Sequence, residues 1–315
     1  MSSFHHAEFP AERLRAERVE TVSVCVPARE EAASIAGVVA PLVALREAGV
    51  VDQVVVLDDD SRDETGAIAA SLGAEVLRPA ALLPGFGPVL GKGDAMWRAL
   101  SVLTGDIVCF VDADSEDFGA HFATGLLGPL ICVPGVQFVK GFYRRPFKSA
   151  VDQITPTGGG RVTELTARPL LAAFYPALAD VRQPLAGEFA ARRELLEQMA
   201  FCTGYAVEIG LLLDVHAASA SASASASGMR IHAIAQVDLD VRQNRHRSIA
   251  DLAPMAAAVL AAVTSRLRSE GRLVGDAYAD HELLERPPLA ELRALREDAL
   301  TLRSHLGDIR FTATT

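Results

Sequence analysis

Phe110-Val111-Asp112-Ala113-Asp114 closes an apolar run that starts at Asp106, and two carboxylates flank one small residue where the run stops. Residues 106–111 read as a buried strand, so both acids leave the sheet where the backbone turns. There they can hold a hard divalent cation, directly or through water, and such a cation neutralises a diphosphate. Alone, Asp-x-Asp is a weak signal, because acids commonly end strands as solvated turn formers. Its context decides the reading, and that context is found by working outward along the chain.

Upstream, strands and helices alternate. Residues 22–26 form a β-branched run ending at Pro27, followed by helical spacing over 30–45. Residues 54–57 read as a second strand, 65–72 as a helix and 75–77 as a third strand. A Gly/Pro-rich loop over 84–93 leads into a helix from Asp94 to about Leu103. This alternation predicts an α/β fold with a mainly parallel sheet flanked by helices. Ligands of such sheets bind at the carboxyl ends of the strands. Those ends carry Pro27-Ala28-Arg29-Glu30-Glu31, Asp58-Asp59-Asp60-Ser61 and Asp112-Ala113-Asp114, which are therefore expected on one rim.

Downstream the pattern is less regular. Residues 137–143 read as a strand, 151–160 as a loop and 161–174 as a helix kinked at Pro169, since proline breaks the hydrogen-bond ladder. Helices are expected over 192–201 and 205–213, and a strand over 230–241 before a basic run. Residues 248–268 and 289–306 read as amphipathic helices. The Ala/Ser alternation over 217–228 reads as a mobile loop.

Composition bounds the rest. The chain has 315 residues and a net charge of −10, which disfavours broad binding to nucleic acid or anionic lipid. Cys25, Cys109, Cys132 and Cys202 form no CxxC pair and are expected as free thiols, mostly buried, in a reducing cytoplasm. No secretory signal is read at the N-terminus, and no stretch is read as long and apolar enough to cross a bilayer.

Further clusters carry chemistry. The backbone around Pro27, Ala28 and Arg29, with Glu31, can bond a nucleobase. Asp59 and Ser61 can meet a ribose or base, and Lys92, between two glycines before a helix, can contact a phosphate. Three glycines precede Arg161, which opens a helix whose amino end favours anions. Arg161 can hold a carboxylate or phosphate through two parallel bonds, with Thr163 adding a hydroxyl.

Val-Pro-Ala-x-x-Glu at 26–31, Asp-Asp-x-Ser at 58–61, Gly-Lys-Gly at 91–93 and Asp-x-Asp at 112–114 together resemble a family-2-like glycosyltransferase of GT-A fold. A narrower resemblance covers most of 20–270. Gly91-Lys92-Gly93-Asp94-Ala95-Met96-Trp97, Pro156-Thr157-Gly158-Gly159-Gly160-Arg161-Val162-Thr163-Glu164-Leu165 and Val237-Asp238-Leu239 before an Arg/His-rich run look like the glucosyl-3-phosphoglycerate synthases and the related actinobacterial mannosyl-3-phosphoglycerate synthases. That resemblance implies a retaining hexosyltransferase with a divalent cofactor, Mg²⁺ or Mn²⁺, a UDP-glucose or GDP-mannose donor and a 3-phosphoglycerate acceptor. It implies donor contacts at Pro27, Ala28, Arg29, Glu31, Asp59, Ser61, Lys92, Asp112, Ala113 and Asp114. Acceptor contacts are implied at Gly160, Arg161, Thr163, Arg242 and Asn244.

For the metal, the resemblance implies Asp114 with Asp112 and a histidine of the basic run. His246 is the candidate, although relatives can carry the histidine where Asn244 stands. Asp114, Lys92 and Arg161 are expected to carry catalysis, and Glu188 and Glu208 lie where related folds place sugar or acceptor contacts. Four regions are expected: an extension over 1–20, a nucleotide-sugar-binding core over 21–135, an acceptor-binding and metal-completing region over 136–270, and a helical extension over 271–315. A homodimer is expected. The rival readings are a nucleotidyltransferase, disfavoured because Pro27-Ala28-Arg29-Glu30-Glu31 does not resemble its Gly-rich loop, and a non-catalytic nucleotide-sugar sensor, disfavoured because Asp112 and Asp114 are both intact.

Overall fold

The computed structural model describes the chain except residues 149–153, 156–158, 226–232, 244–247, 274–283 and 295–315. In chain order the first half runs β1 (Ser2–His5), α1 (Ala11–Glu17), β2 (Val22–Ala28), α2 (Ile35–Glu47), β3 (Gln53–Asp58), α3 (Thr65–Ser71), β4 (Glu75–Leu77), α4 (Lys92–Ala99), β5 (Ile107–Phe110) and α5 (Ala120–Cys132). Then follow β6 (Phe138–Arg144), a small hairpin of β7 (Phe147–Lys148) and β8 (Ile154–Thr155), α6 (Arg168–Phe174), β9 (Phe189–Arg192) and α7 (Arg193–Glu197). The chain continues through β10 (Phe201–Cys202), α8 (Val207–Ser225), β11 (Ile234–Val241), α9 (Ile249–Ser269) and β12 (Glu285–Arg286).

One eight-stranded sheet runs in the order β1-β11-β6-β9-β5-β2-β3-β4, parallel throughout except β9. Alternation along each strand sorts the core between its two faces. Cys25, Val55, Leu57, Val108 and Phe110 pack with α4, α6, α8 and α9 on one side. Val24, Val26, Val54, Val56 and Cys109 pack with α1, α2 and α5 on the other. Cys25, Cys109 and Cys202 are buried and Cys132 half-buried, all as free thiols.

The six strands expected from periodicity are present with differences at their ends, β11 being described from Ile234, while β1 and β9 join the sheet without having been expected. β2 runs on through Pro27, because pairing to β5 stops at Cys25 while pairing to β3 continues to Ala28. A proline without an amide hydrogen is tolerated where one neighbour has ended. The helix expected from residue 30 starts at Ile35, since Glu30 takes a left-handed φ of 57°. At 161–174 the helix widens into a π turn over Thr163–Ala167, and Pro169 sits at the start of α6. The wider turn accommodates the proline without ending the helix.

Other expectations are corrected. The Ala/Ser tract is not a loop where described: α8 carries helix through Ser225, since alanine favours helix and serine does not forbid it. Residues 192–201 hold the end of β9, a short helix and the start of β10, not one helix. By length and composition α9 could cross a bilayer, with 21 residues and a mean hydropathy of 1.3 over its best window, 22% of that window being buried. Its buried side, including Val259, Ala262 and Val263, packs in the core, and Arg266 bonds Asp214 of α8 at 2.7 Å. Residues 289–294 are helical, and the rest of the expected final helix lies outside the described residues.

Candidate active site

Parallel pairing puts the carboxyl ends of β2, β3, β5, β6 and β11 on one rim. There a cavity of about 520 Å³ is lined by Pro27, Ala28, Arg29, Glu31, Asp59, Lys92, Asp112, Ala113, Asp114, Gly160, Arg161 and Thr163. Five segments remote in sequence thus share a wall. Ser61 stands apart from the lining: its hydroxyl accepts the Glu30 amide at 3.0 Å and so shapes the turn that follows β2. Thr65 does the same for Glu31, accepting its amide at 2.8 Å. His246 and Asn244 lie outside the described residues.

The floor is a network of opposite charges. Lys92 opens α4 and donates to Asp112 Oδ1 at 2.5 Å and Glu208 Oε1 at 2.8 Å. The loop before it is not an open phosphate cradle, because its carbonyls wrap a buried guanidinium. Arg98 donates to the carbonyls of Leu82 at 2.7 Å and Gly87 at 2.8 Å, while Asp94 holds Arg98 and Arg286 together. This brace sets where Lys92 emerges. Arg242, expected on the acceptor side, is fully buried behind the carboxylates. It donates to Asp112 Oδ2 at 3.2 Å, Asp114 Oδ1 at 2.5 Å and the Tyr143 hydroxyl at 2.8 Å. Its Nη1 also lies 2.7 Å from Glu188 Oε1, an ion pair without hydrogen-bond alignment.

Burial alone would raise the Asp112 carboxyl, yet Lys92 and Arg242 outweigh it and hold the group well below the usual range. Burial likewise opposes the Lys92 ammonium, but Asp112 and Glu208 raise it above its ordinary value. At Glu188 burial wins, and the carboxyl is raised. Buried Nε atoms of Arg145 and Arg242 find no acceptor among the described residues. Orphaned donors of this kind mark a site organised for something other than its own stability.

Sequence reading missed three residues here: Lys140, Tyr143 and Arg145, all on or just after β6. A lysine in an apolar strand was their one available signal. Lys140 is 1% exposed and donates to the Ala186 carbonyl. Burial pushes its ammonium down to about 8. The unfolded lysine titrates near ~10.4, so between the two values the unfolded chain binds more protons and stability rises with pH. Lys140→Met should remove that part of the rise between about pH 8 and 10.4. Urea unfolding of both proteins across this range checks it, and parallel profiles would contradict it.

Asp112 and Asp114 both reach the cavity and offer the oxygen donors that Mg²⁺ or Mn²⁺ takes. Asp112 already faces two cations, so Asp114, 31% exposed, is the better placed to give up its contact to a metal.

Known proteins are similar to this chain in sequence and fold. The family model described as Glycosyl transferase family 2 matches residues 23–123. The glucosyl-3-phosphoglycerate synthase of Mycolicibacterium smegmatis is 43% identical over 285 residues, covering 87% of this chain and 90% of that protein. The crystal structure of mannosyl-3-phosphoglycerate synthase from Rubrobacter xylanophilus superposes with a TM-score of 0.81 at 44% identity, covering 92% of this chain and 96% of that one. Glucosyl-3-phosphoglycerate synthase from Mycobacterium tuberculosis, solved with Mn²⁺, UDP and phosphoglyceric acid, gives a TM-score of 0.78 at 37% identity, covering 93% and 99%. With the sheet order, the carboxylate pair and this similarity over nearly the whole length, the chain belongs to the glucosyl-3-phosphoglycerate synthase family, a family of metal-dependent glycosyltransferases.

Proposed function

We propose that this protein transfers a hexose from a nucleoside diphosphate sugar, UDP-glucose or GDP-mannose, to 3-phosphoglycerate with retention at the anomeric carbon. One observation carries the reading: a single cavity joins the nucleotide-side turns at Pro27–Glu31 and Asp59 to the acidic pair and to the helix start at Gly160-Arg161. Relatives of nearly equal identity carry glucosyl and mannosyl names, so overall similarity favours neither donor.

A divalent cation bound at Asp114 supplies charge neutralisation to the departing diphosphate. The chain's own residues do the positioning. Lys92, tied to Asp112 and Glu208, stands beside the carboxylates as a further positive charge for that diphosphate. Arg161 and Thr163, on the first turns of their helix, hold the acceptor's phosphate and carboxylate. Gly160, with φ at 73°, turns the backbone into that helix. Arg242 and Glu188 act from behind, fixing the two aspartates and Tyr143. Four cations (Lys92, Lys140, Arg145 and Arg242) and four carboxylates (Asp112, Asp114, Glu188 and Glu208) balance in the floor. A metal and a diphosphate therefore enter as another near-balanced pair, and rate comes from orientation and electrostatic stabilisation.

The test is a matrix of UDP- and GDP-sugars against 3-phosphoglycerate and other phosphorylated acids, with and without Mg²⁺ or Mn²⁺. The product's anomeric configuration is read by NMR. Inversion, or sugar nucleotide bound but never consumed, overturns the proposal, and the second result favours a sensor. Arg161→Ala should raise KM for 3-phosphoglycerate by about 10- to 100-fold, the worth of a charge-assisted bidentate contact. Donor KM should stay within about twofold; an equal rise in both would remove Arg161 from the acceptor side.

A further inference from the structure

At the β1 edge of the sheet, outside the cavity, the fold gathers imidazoles and a carboxylate that the transfer reaction does not use. β1 ends at His5 and a 3₁₀ turn, His6–Glu8, begins at once. Continued strand would send neighbouring side chains to opposite faces. The turn interrupts that alternation and leaves the two rings 4.5 Å apart. β11 pairs with β1, and its register to β6 slips between Asp238 and Val241. Asp240 lies in the slip with φ at 68°. Its carboxylate stands 2.7 Å from His6 Nε2 and 3.5 Å from His5 Nε2. One donor atom from each residue falls within 4.8 Å of the other two. His121 of α5 packs its ring 4.6 Å from that of His6 and bonds the Leu239 carbonyl.

From this cluster we infer that His5, His6 and Asp240 form a second cation site, selective for a transition ion such as Zn²⁺ or Co²⁺. Two imidazole nitrogens and one carboxylate oxygen, with a position left for water, suit such ions. Mg²⁺ and Ca²⁺ prefer oxygen donors throughout and fit poorly. Metal–ligand bonds of ~2.0–2.1 Å place tetrahedral donors about 3.3 Å apart. His5 Nε2 stands 3.5 Å from Asp240 Oδ1 and His6 Nε2 2.7 Å from Oδ2, so loading turns the carboxylate until one oxygen takes that spacing to both rings.

Loading has two structural consequences. His5 Nδ1 now accepts the Ala7 amide at 3.2 Å. With Nε2 on the ion, Nδ1 carries the proton and that bond is released. Arg144 Nη2, 3.7 Å from Asp240 Oδ1, also withdraws, which its 72% exposed side chain permits. The ion then pins β1 to β11 two residues before Arg242, the guanidinium beneath the acidic pair.

The experiment uses the full chain stripped of metal, titrated with Zn²⁺ alone and Co²⁺ alone by calorimetry and visible absorption. Asp240→Asn keeps size and tolerates the left-handed backbone, so the fold survives. Zn²⁺ affinity at this site should fall by about tenfold or more in Asp240→Asn and in His6→Ala. The rise in unfolding temperature that Zn²⁺ gives the native chain should shrink with it, while the metal-free unfolding temperature of Asp240→Asn holds. An Asp114→Ala chain should keep the site and its cobalt spectrum. Undiminished Zn²⁺ affinity in Asp240→Asn and His6→Ala, or loss of all Co²⁺ binding in Asp114→Ala, overturns the inference.

Discussion

Asp114→Ala is expected to lower transfer by about three orders of magnitude or more, the loss of several kcal/mol of leaving-group stabilisation. Asp112 is spoken for by Lys92 at 2.5 Å and Arg242 at 3.2 Å, which leaves Asp114 as the carboxylate a metal can win. Removing it leaves Arg242 bound to Asp112, Tyr143 and Glu188, so the buried guanidinium keeps its surroundings and the protein stays folded. Initial rates across a Mn²⁺ titration, with unfolding temperature as control, read the effect. Rates within about tenfold of native at saturating Mn²⁺ would show that the metal is held elsewhere.

The second large effect is expected from a single methyl group. Gly187→Ala places a Cβ inside the Asp112 carboxyl, a contact that no rotation of the new side chain relieves. Asp112 must move, and its bonds to Lys92 and Arg242 move with it. Displacement of about 1 Å at a reacting centre costs about 100-fold in rate, so kcat should fall by that order. Stability should change far less, because Lys140 holds the neighbouring Ala186 carbonyl from the other side. Steady-state kinetics set against thermal unfolding separate the two. A kcat within about threefold of native would mean that Asp112 has room that the backbone does not suggest.

The Asp112-x-Asp114 pair was legible in the sequence because it ends an apolar strand, and Pro27-Ala28-Arg29-Glu30-Glu31 and Asp58-Asp59-Asp60-Ser61 for the same reason. Glycines before Arg161 marked the helix start that lines the cavity. What could not be read was who partners whom. Arg242 looked like an acceptor contact in a basic run, yet three carboxylates converge on it from β5 and β9, strands more than 40 residues upstream. Lys140 and Tyr143 looked like ordinary members of a strand. Gly187 gave no sign that it supports a carboxylate.

Periodicity and turn chemistry by themselves determined a parallel α/β sheet and the three polar strand ends on its rim, because these are local properties of β-branched runs and the residues that break them. Tertiary structure alone decided the charge partners, the antiparallel entry of β9 between β5 and β6, and the helix that runs through Ser225 of the Ala/Ser tract. Burial is the physical reason: a charge's partners and its proton affinity depend on what packs around it, and those neighbours come from distant parts of the chain.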